Sequence, residues 1–228
     1  MSPIINFVSI AITLLFYFIA RKVNEKKPTP LTTPIFLAVV FICLFLLLFR
    51  ISYSDYEKAT EVFTYFLGPA TVALAFPLYH QRKLIKKHFT ALLLGIVSGS
   101  FASIIVSYYL AIFFQIPGSV NKSLLLKTIT TPVAVEIGRV IDANIKLIAI
   151  VVIVTGIVGA MFLGSILKYL NITHPVTKGL TFGVMSHGIG TAQAIKEGEE
   201  EGAISGVAMA LTAAILSFLI PLVYFVIK

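Results

Sequence analysis

The residues best suited to do chemistry lie in Gly183-Val184-Met185-Ser186-His187-Gly188-Ile189-Gly190-Thr191-Ala192-Gln193-Ala194. Ser186, His187, Thr191 and Gln193 are hydrogen-bonding side chains, while Gly188 and Gly190 let another group come close to the backbone. Both flanks are apolar enough for a lipid bilayer, where polar backbone and ionisable side chains persist only if protein or a water-filled cavity satisfies them. The stretch therefore reads as a binding site for a small polar ligand. His187 has two open roles, carrier of a coupled proton or satisfied packing histidine, because an imidazole titrates near neutral pH.

A second polar interruption is Lys127-Thr128-Ile129-Thr130-Thr131-Pro132-Val133-Ala134-Val135-Glu136-Ile137-Gly138-Arg139. Pro132 suits a first helical turn, so Thr131-Pro132 could open a half-helix capped by Thr131, with its amide end favouring an anion next to Thr130. The other reading is a capped surface helix carrying a Glu136–Arg139 pair at i, i+3. Gly68-Pro69-Ala70-Thr71, with Pro77 further on, marks a third break or kink, a helix-break and support position for the other two.

The elements around these stretches are set by composition. Hydrophobic residues make up 58% of the 228, charged residues 12%, and mean hydropathy is +0.98. These values place the chain in a bilayer as an all-α polytopic membrane protein, one integral membrane domain over 1–228, multi-pass in the cell membrane. The net charge of +8 sits in short clusters between apolar runs, which reads as topology signals and not as a nucleic-acid surface. Cys43, the single cysteine, lies in an apolar run and is expected to be buried, with no disulfide framework and no metal site.

Apolar runs at 4–20, 34–49, 62–79, 89–114, 145–170 and 203–227 predict about six full spans plus interrupted or re-entrant segments. Thr29-Pro30-Leu31-Thr32-Thr33-Pro34 links the first two. Basic residues follow the first run instead of preceding it, so the run reads as an uncleaved helix. The loop with Asp55, Glu57 and Glu61 is expected outside, and that with Arg82, Lys83, Lys86 and Lys87 inside. Gly95, Ser98, Gly99, Ser100, Ala102, Ser103 and Ser107 predict close helix packing in the fourth run. Ile96-Val97-Ser98-Gly99 and Ala203-Ile204-Ser205-Gly206 echo one another, pairing 34–114 with 145–227 as an inverted repeat. With the Thr131-Pro132 segment re-entrant, that pairing puts the Glu197–Glu201 turn outside. Interrupted helices in corresponding places of two halves point to a transporter site near the midplane.

Leu67-Gly68-Pro69-Ala70-Thr71, continuing to Tyr79, together with Thr130-Thr131-Pro132-Val133-Ala134, Ser186-His187-Gly188-Ile189-Gly190-Thr191-Ala192 and Glu201-Gly202-Ala203-Ile204-Ser205-Gly206, resembles the LrgB/CidB family in order and spacing over nearly the whole chain. The resemblance implies a partner of the LrgA/CidA type. It also implies one of two functions: antiholin-like regulation of murein hydrolase activity and lysis, or transport of a small monocarboxylate (pyruvate, lactate, glycolate or glycerate), as in the related plastid glycolate/glycerate translocators. The family usually has Arg or Lys where this chain has Gln193, so an anion here would rely on half-helix amide ends, Lys127, Arg139 or a protonated His187.

The substrate-binding set expected is thus Thr130, Thr131, Pro132, Ser186, His187, Gly188, Gly190, Thr191 and Gln193, supported by Gly68, Pro69, Thr71, Glu136 and Arg139. No cofactor is expected beyond a coupling proton or other ion. A homodimer is compatible with the small-residue helices. No Ser-His-Asp order, H-E-x-x-H or Walker loop is present, which argues against an enzyme.

Overall fold

The computed structural model describes residues 3–73, 79–80 and 82–227, and among these it contains helices and no strands. The chain forms two compact units, Met1–Phe76 and Pro77–Lys228. Four helices are long and apolar enough to cross a membrane, at Asn6–Lys26, Phe89–Phe113, Ile145–Tyr169 and Glu199–Phe225. Among the described residues, four of the six predicted spans reach spanning length; the helix at Pro34–Leu48 has 15 residues, about 22 Å, against a hydrocarbon core of about 30 Å, and the 62–79 run includes residues outside those described.

In the first unit, α1 (Pro3–Lys26) is joined through a short 3-10 turn at Pro30–Thr32 to α2 (Pro34–Leu48), followed by α3 (Tyr53–Ala59) and α4 (Val62–Ala73). Phe16 of α1 packs on Phe41 and Phe45 of α2 with ring centroids 5.9 and 5.8 Å apart, and Thr13 hydrogen-bonds the Tyr56 hydroxyl at 2.6 Å. Cys43 is exposed on α2 and not buried as its apolar run suggests. Gly68-Pro69 does not break α4; the helix continues through Pro69 to Ala73. Pro77 lies outside the described residues.

In the second unit, α5 (Arg82–Lys87) leads into the long α6 (Phe89–Phe113), then α7 (Gly118–Leu125), α8 (Thr131–Val140), α9 (Ile145–Tyr169), α10 (Pro175–Glu197) and α11 (Glu199–Ile227). Helix α10 is not straight. Lys178 Nζ lies 2.5 Å from Glu197 Oε2, although nineteen residues of straight helix would separate them by about 28 Å. The chain turns back at His187, whose backbone (φ 42, ψ −133) is non-helical. Phe182, before the turn, and Ala194, after it, pack together on Leu167 of α9. The arms 175–186 and 188–197 thus form a hairpin, each arm about 15–18 Å long, half the thickness of a hydrocarbon core.

Segments α7 and α8 make a second such hairpin. Lys122 Nζ donates to the Asp142 carbonyl at 3.3 Å and Ser123 Oγ to the Asn144 carbonyl at 3.4 Å, which brings the two outer ends together and leaves 126–130 as the tip. The hairpins enter from opposite ends of the unit. At the α5 end, Leu84, Ile85, Leu92 and Ile96 pack with Val176, Leu180 and Ile204, and His88 and His174 stack edge-on at 6.0 Å. At the other end, Lys122 reaches the Tyr224 hydroxyl near the end of α11 at 3.1 Å. The order hairpin then span thus occurs twice, over 118–169 and 175–227.

The expected location of the acidic turn is corrected by this geometry. Because α10 returns to the end it entered from, Glu197 to Glu201 lie at the same end as the Arg82–Lys87 cluster, not across the membrane from it. Nor is the turn simply solvated: Lys178 pairs with Glu197 and also lies 3.7 Å from Glu201 Oε1, with side chains only 12–21% exposed. The Glu197 carboxylate holds the Lys178 ammonium above the usual lysine value, against the opposing effect of burial. Small residues do the expected close packing: Gly95 and Gly99 of α6 meet Leu180 and Val184, and Gly179 and Gly183 of α10 lie on the α11 backbone, while Ser98 and Ala102 are exposed.

A methyl group on Gly183 would come within 2.7 Å of Ala208 Cβ and 3.0 Å of the Met209 amide nitrogen, whereas one on Gly118 would meet nothing within 4 Å. Gly183→Ala should therefore lower the thermal midpoint of the purified protein, by roughly 1–3 kcal/mol of overpacking, while Gly118→Ala leaves it near wild type. Lys178→Met should cost about 1–2 kcal/mol, between surface and buried ion pairs. Because the folded-state value is raised, that contribution is complete throughout the neutral range and disappears only as pH rises through the raised lysine value. Denaturation of the variant against wild type from pH 6 to 11 checks both magnitude and sign.

Candidate functional site

The second unit alone builds the site, from the two hairpin tips. At the α10 tip, His187 adopts a backbone conformation that side chains bearing a Cβ rarely hold, at a cost of order 1–3 kcal/mol. Its imidazole Nε2 lies 3.0 Å from the Val152 carbonyl oxygen of α9. A carbonyl can only accept, so Nε2 carries the proton and Nδ1 is the ring's remaining acceptor. The His187 carbonyl in turn accepts from Thr191 Oγ1 at 2.8 Å. Since that uses the single threonine proton, the 2.9 Å contact between Thr191 and Ser205 Oγ has the serine as donor. Gly156 of α9 faces the imidazole and Gly188 faces the Met209 sulfur of α11.

Gly190 is required by close approach, because a Cβ there would sit 2.5 Å from Ser186 Cβ and 2.6 Å from the Phe182 carbonyl oxygen. Ser186 is completely buried next to Gly159, and its hydroxyl has no hydrogen-bond partner. Gln193 is half-buried on the returning arm.

The first hairpin presents Lys127, Thr128, Ile129 and Thr130 at its tip. Thr130, not Thr131, is the cap residue of α8, and its side chain makes no capping bond; its carbonyl accepts from the Ala134 amide at 2.9 Å. Thr130 and Thr131 are half-buried and Pro132 is exposed. The segment is a short helix following a chain reversal, and Glu136 and Arg139 pair at 2.7 Å on its exposed face while Ala134, Ile137 and Gly138 are buried.

The two tips converge on the same part of the unit. Leu126 and Ile129 of the first pack with Ile148 and Val152 of α9 and Ala213 and Leu216 of α11. His187 of the second bonds the carbonyl of that same Val152, and Gly188 touches Met209, one turn before Ala213. Two participants escape a reading by motif. Thr212, completely buried between these levels, has an unpartnered hydroxyl, as does Ser100 on the buried face of α6. Thr212 shares a helical face with Ser205 and Met209, the one signal that could have exposed it. Gly68, Pro69 and Thr71 belong to the first unit. Among the described residues no group of three or more His, Cys, Asp or Glu side chains is arranged to hold a metal.

No solved structure matches this chain. Among curated proteins it is 31% identical to the holin-like protein CidB of Staphylococcus aureus, over 93% of each chain. It is 33% identical to the antiholin-like protein LrgB of Bacillus subtilis, over 97% of this chain and 95% of that one. It is also 31% identical to the uncharacterized protein YwbG of Bacillus subtilis, over 92% and 93%. With residues 13–226 matching the LrgB-like family throughout, the chain belongs to that family of multi-pass membrane proteins.

Proposed function

We propose that this protein is a secondary transporter of a small monocarboxylate, of the pyruvate, lactate, glycolate or glycerate class, working with an LrgA/CidA-like membrane partner. The observation that carries the reading is the pair of hairpins entering the second unit from opposite ends, with tips that meet at Val152 of α9 and on neighbouring turns of α11. Half-helices of opposite entry that end near the midplane present backbone amides and carbonyls to a ligand where lipid is excluded. On this reading 118–169 and 175–227 form the inverted pair, in place of 34–114 and 145–227.

The hydroxyls free to bind substrate are those of Ser186 and Thr212, with Thr130 and Thr131 facing from the first hairpin; the Thr191 hydroxyl is engaged in holding the tip. His187 takes up the coupled proton at Nδ1. A second reading, antiholin-like regulation without a substrate, is favoured by the names of the relatives.

Uptake by proteoliposomes separates the two. Labelled pyruvate, lactate, glycolate or glycerate should accumulate saturably under an inward proton gradient; absence of uptake of every acid, with and without an LrgA-like partner, returns the function to regulation. His187 gives a sharper test. His187→Ala keeps the strained backbone and loses the Val152 bond, worth about 1 kcal/mol, whereas His187→Gly loses the bond but relieves the strain. The glycine variant should melt above the alanine variant, and both should lose dependence of uptake on the gradient. Retained gradient dependence in the glycine variant would remove the proton role.

A further inference from the structure

We propose that Lys127 is the cation that holds the substrate carboxylate, placed by the first hairpin opposite the tip of the second; this rests on the transport reading above. Lys127 sits in the reversal between α7 and α8. Its Nζ donates to the Ser103 carbonyl at 3.4 Å, to Ser103 Oγ at 3.3 Å and to Ser107 Oγ. Among the described residues no carboxylate pairs with it, and Glu136, Glu197 and Glu201 are engaged by Arg139 and Lys178. Lys127 is half-buried, and a partly desolvated charge met only by hydroxyls and a carbonyl favours the arrival of an anion.

The register of α6 against α10 fixes the level of that ammonium. Gly95 faces Leu180 and Gly99 faces Val184, so the two helices advance together, one turn with one turn. A further turn of α6 brings Ser103 to about the height at which the chain reverses at His187. The lysine of one hairpin is therefore held at the height of the other hairpin's tip. One turn back along the same buried face, Ser100 is 0% exposed with its hydroxyl unpartnered. The unpartnered hydroxyl of Ser186 lies against Gly159 of α9, and that of Thr212 is on α11.

The remaining candidates for the cation are committed elsewhere or uncharged. Arg139 is bound to Glu136 on the exposed face of α8, the protonated nitrogen of His187 is bound to Val152, and Gln193 carries no charge. An ammonium has three donors, so Lys127 can give up its longest contact, to the Ser103 carbonyl, for a carboxylate oxygen while keeping the two serine hydroxyls.

The test uses the full-length protein in detergent and in proteoliposomes, with Lys127→Arg and Lys127→Met; methionine keeps an apolar stem of similar length, and monodispersity on size exclusion checks folding. Thermal stabilisation by pyruvate, lactate, glycolate and glycerate is measured with their uncharged amides as controls. Wild type and Lys127→Arg should be stabilised by at least one acid and not by its amide, while Lys127→Met should need roughly 10- to 100-fold more acid, the loss of one charge-assisted hydrogen bond. Equal acid dependence in Lys127→Met and wild type overturns the assignment, as does absence of stabilisation in wild type. Uptake distinguishes the two levels of the argument. Wild-type uptake that persists unchanged in Lys127→Met removes the lysine and leaves the transporter; Lys127-dependent stabilisation without uptake removes the transporter and leaves an anion site.

Discussion

A polypeptide can reverse direction at the depth of a bilayer only if every peptide group exposed by the reversal finds a partner within the protein. The second unit of this molecule is organised by that requirement, met twice. At the α10 tip an imidazole bonds the carbonyl of Val152, a threonine hydroxyl returns to the carbonyl of the histidine, and a serine from α11 completes the chain. In the first hairpin the partners are mostly backbone: the Lys127 amide bonds the Leu124 carbonyl and the Ile129 amide that of Leu126. Both solutions need neighbouring helices at very short range, and glycines in α6, α9 and α10 allow it.

Charge is distributed to suit the same constraint. In the second unit Arg139 and Glu136 pair on an exposed face, Lys178 pairs with Glu197 and Glu201 in a partly buried cluster at one end, and Lys127 is held by hydroxyls and a carbonyl. The neighbours of Lys127 are the Ser103 and Ser107 hydroxyls and the Ser103 carbonyl. Such a setting strengthens the attraction between the cation and a small anion, since effective permittivity there is well below that of water. Exposed large side chains such as Leu94, Ile105, Phe113, Ile150, Phe218 and Leu222 turn the opposite faces of the spans to hydrocarbon.

Much of this was legible in the residues. Long apolar runs located the spanning helices, and the polar interruptions at 127–139 and 183–194 marked both tips, because hydrocarbon makes unpartnered polar groups conspicuous. What the letters could not show is that the second interruption reverses the chain. Pro175–Ser186 and Gly188–Glu197 have the composition of one continuous helix, and the reversal depends on a single residue in the left-handed region, which a histidine does not announce as a glycine would. From that one missed reversal followed the misplaced acidic turn. Of the two readings of Gly68-Pro69, break or kink, the break is set aside, since a proline's lost hydrogen bond is absorbed by a helix that continues. Thr212 and Ser100 stayed hidden because single hydroxyls in apolar helices are common, and burial is a tertiary property.

The hairpin of α10 is tied at both extremities, by the imidazole at one and by Lys178 with its two glutamates at the other. Covalent chain and ion pair together make a closed loop, and a closed loop of two stiff rods has no soft joint at which the rods can part.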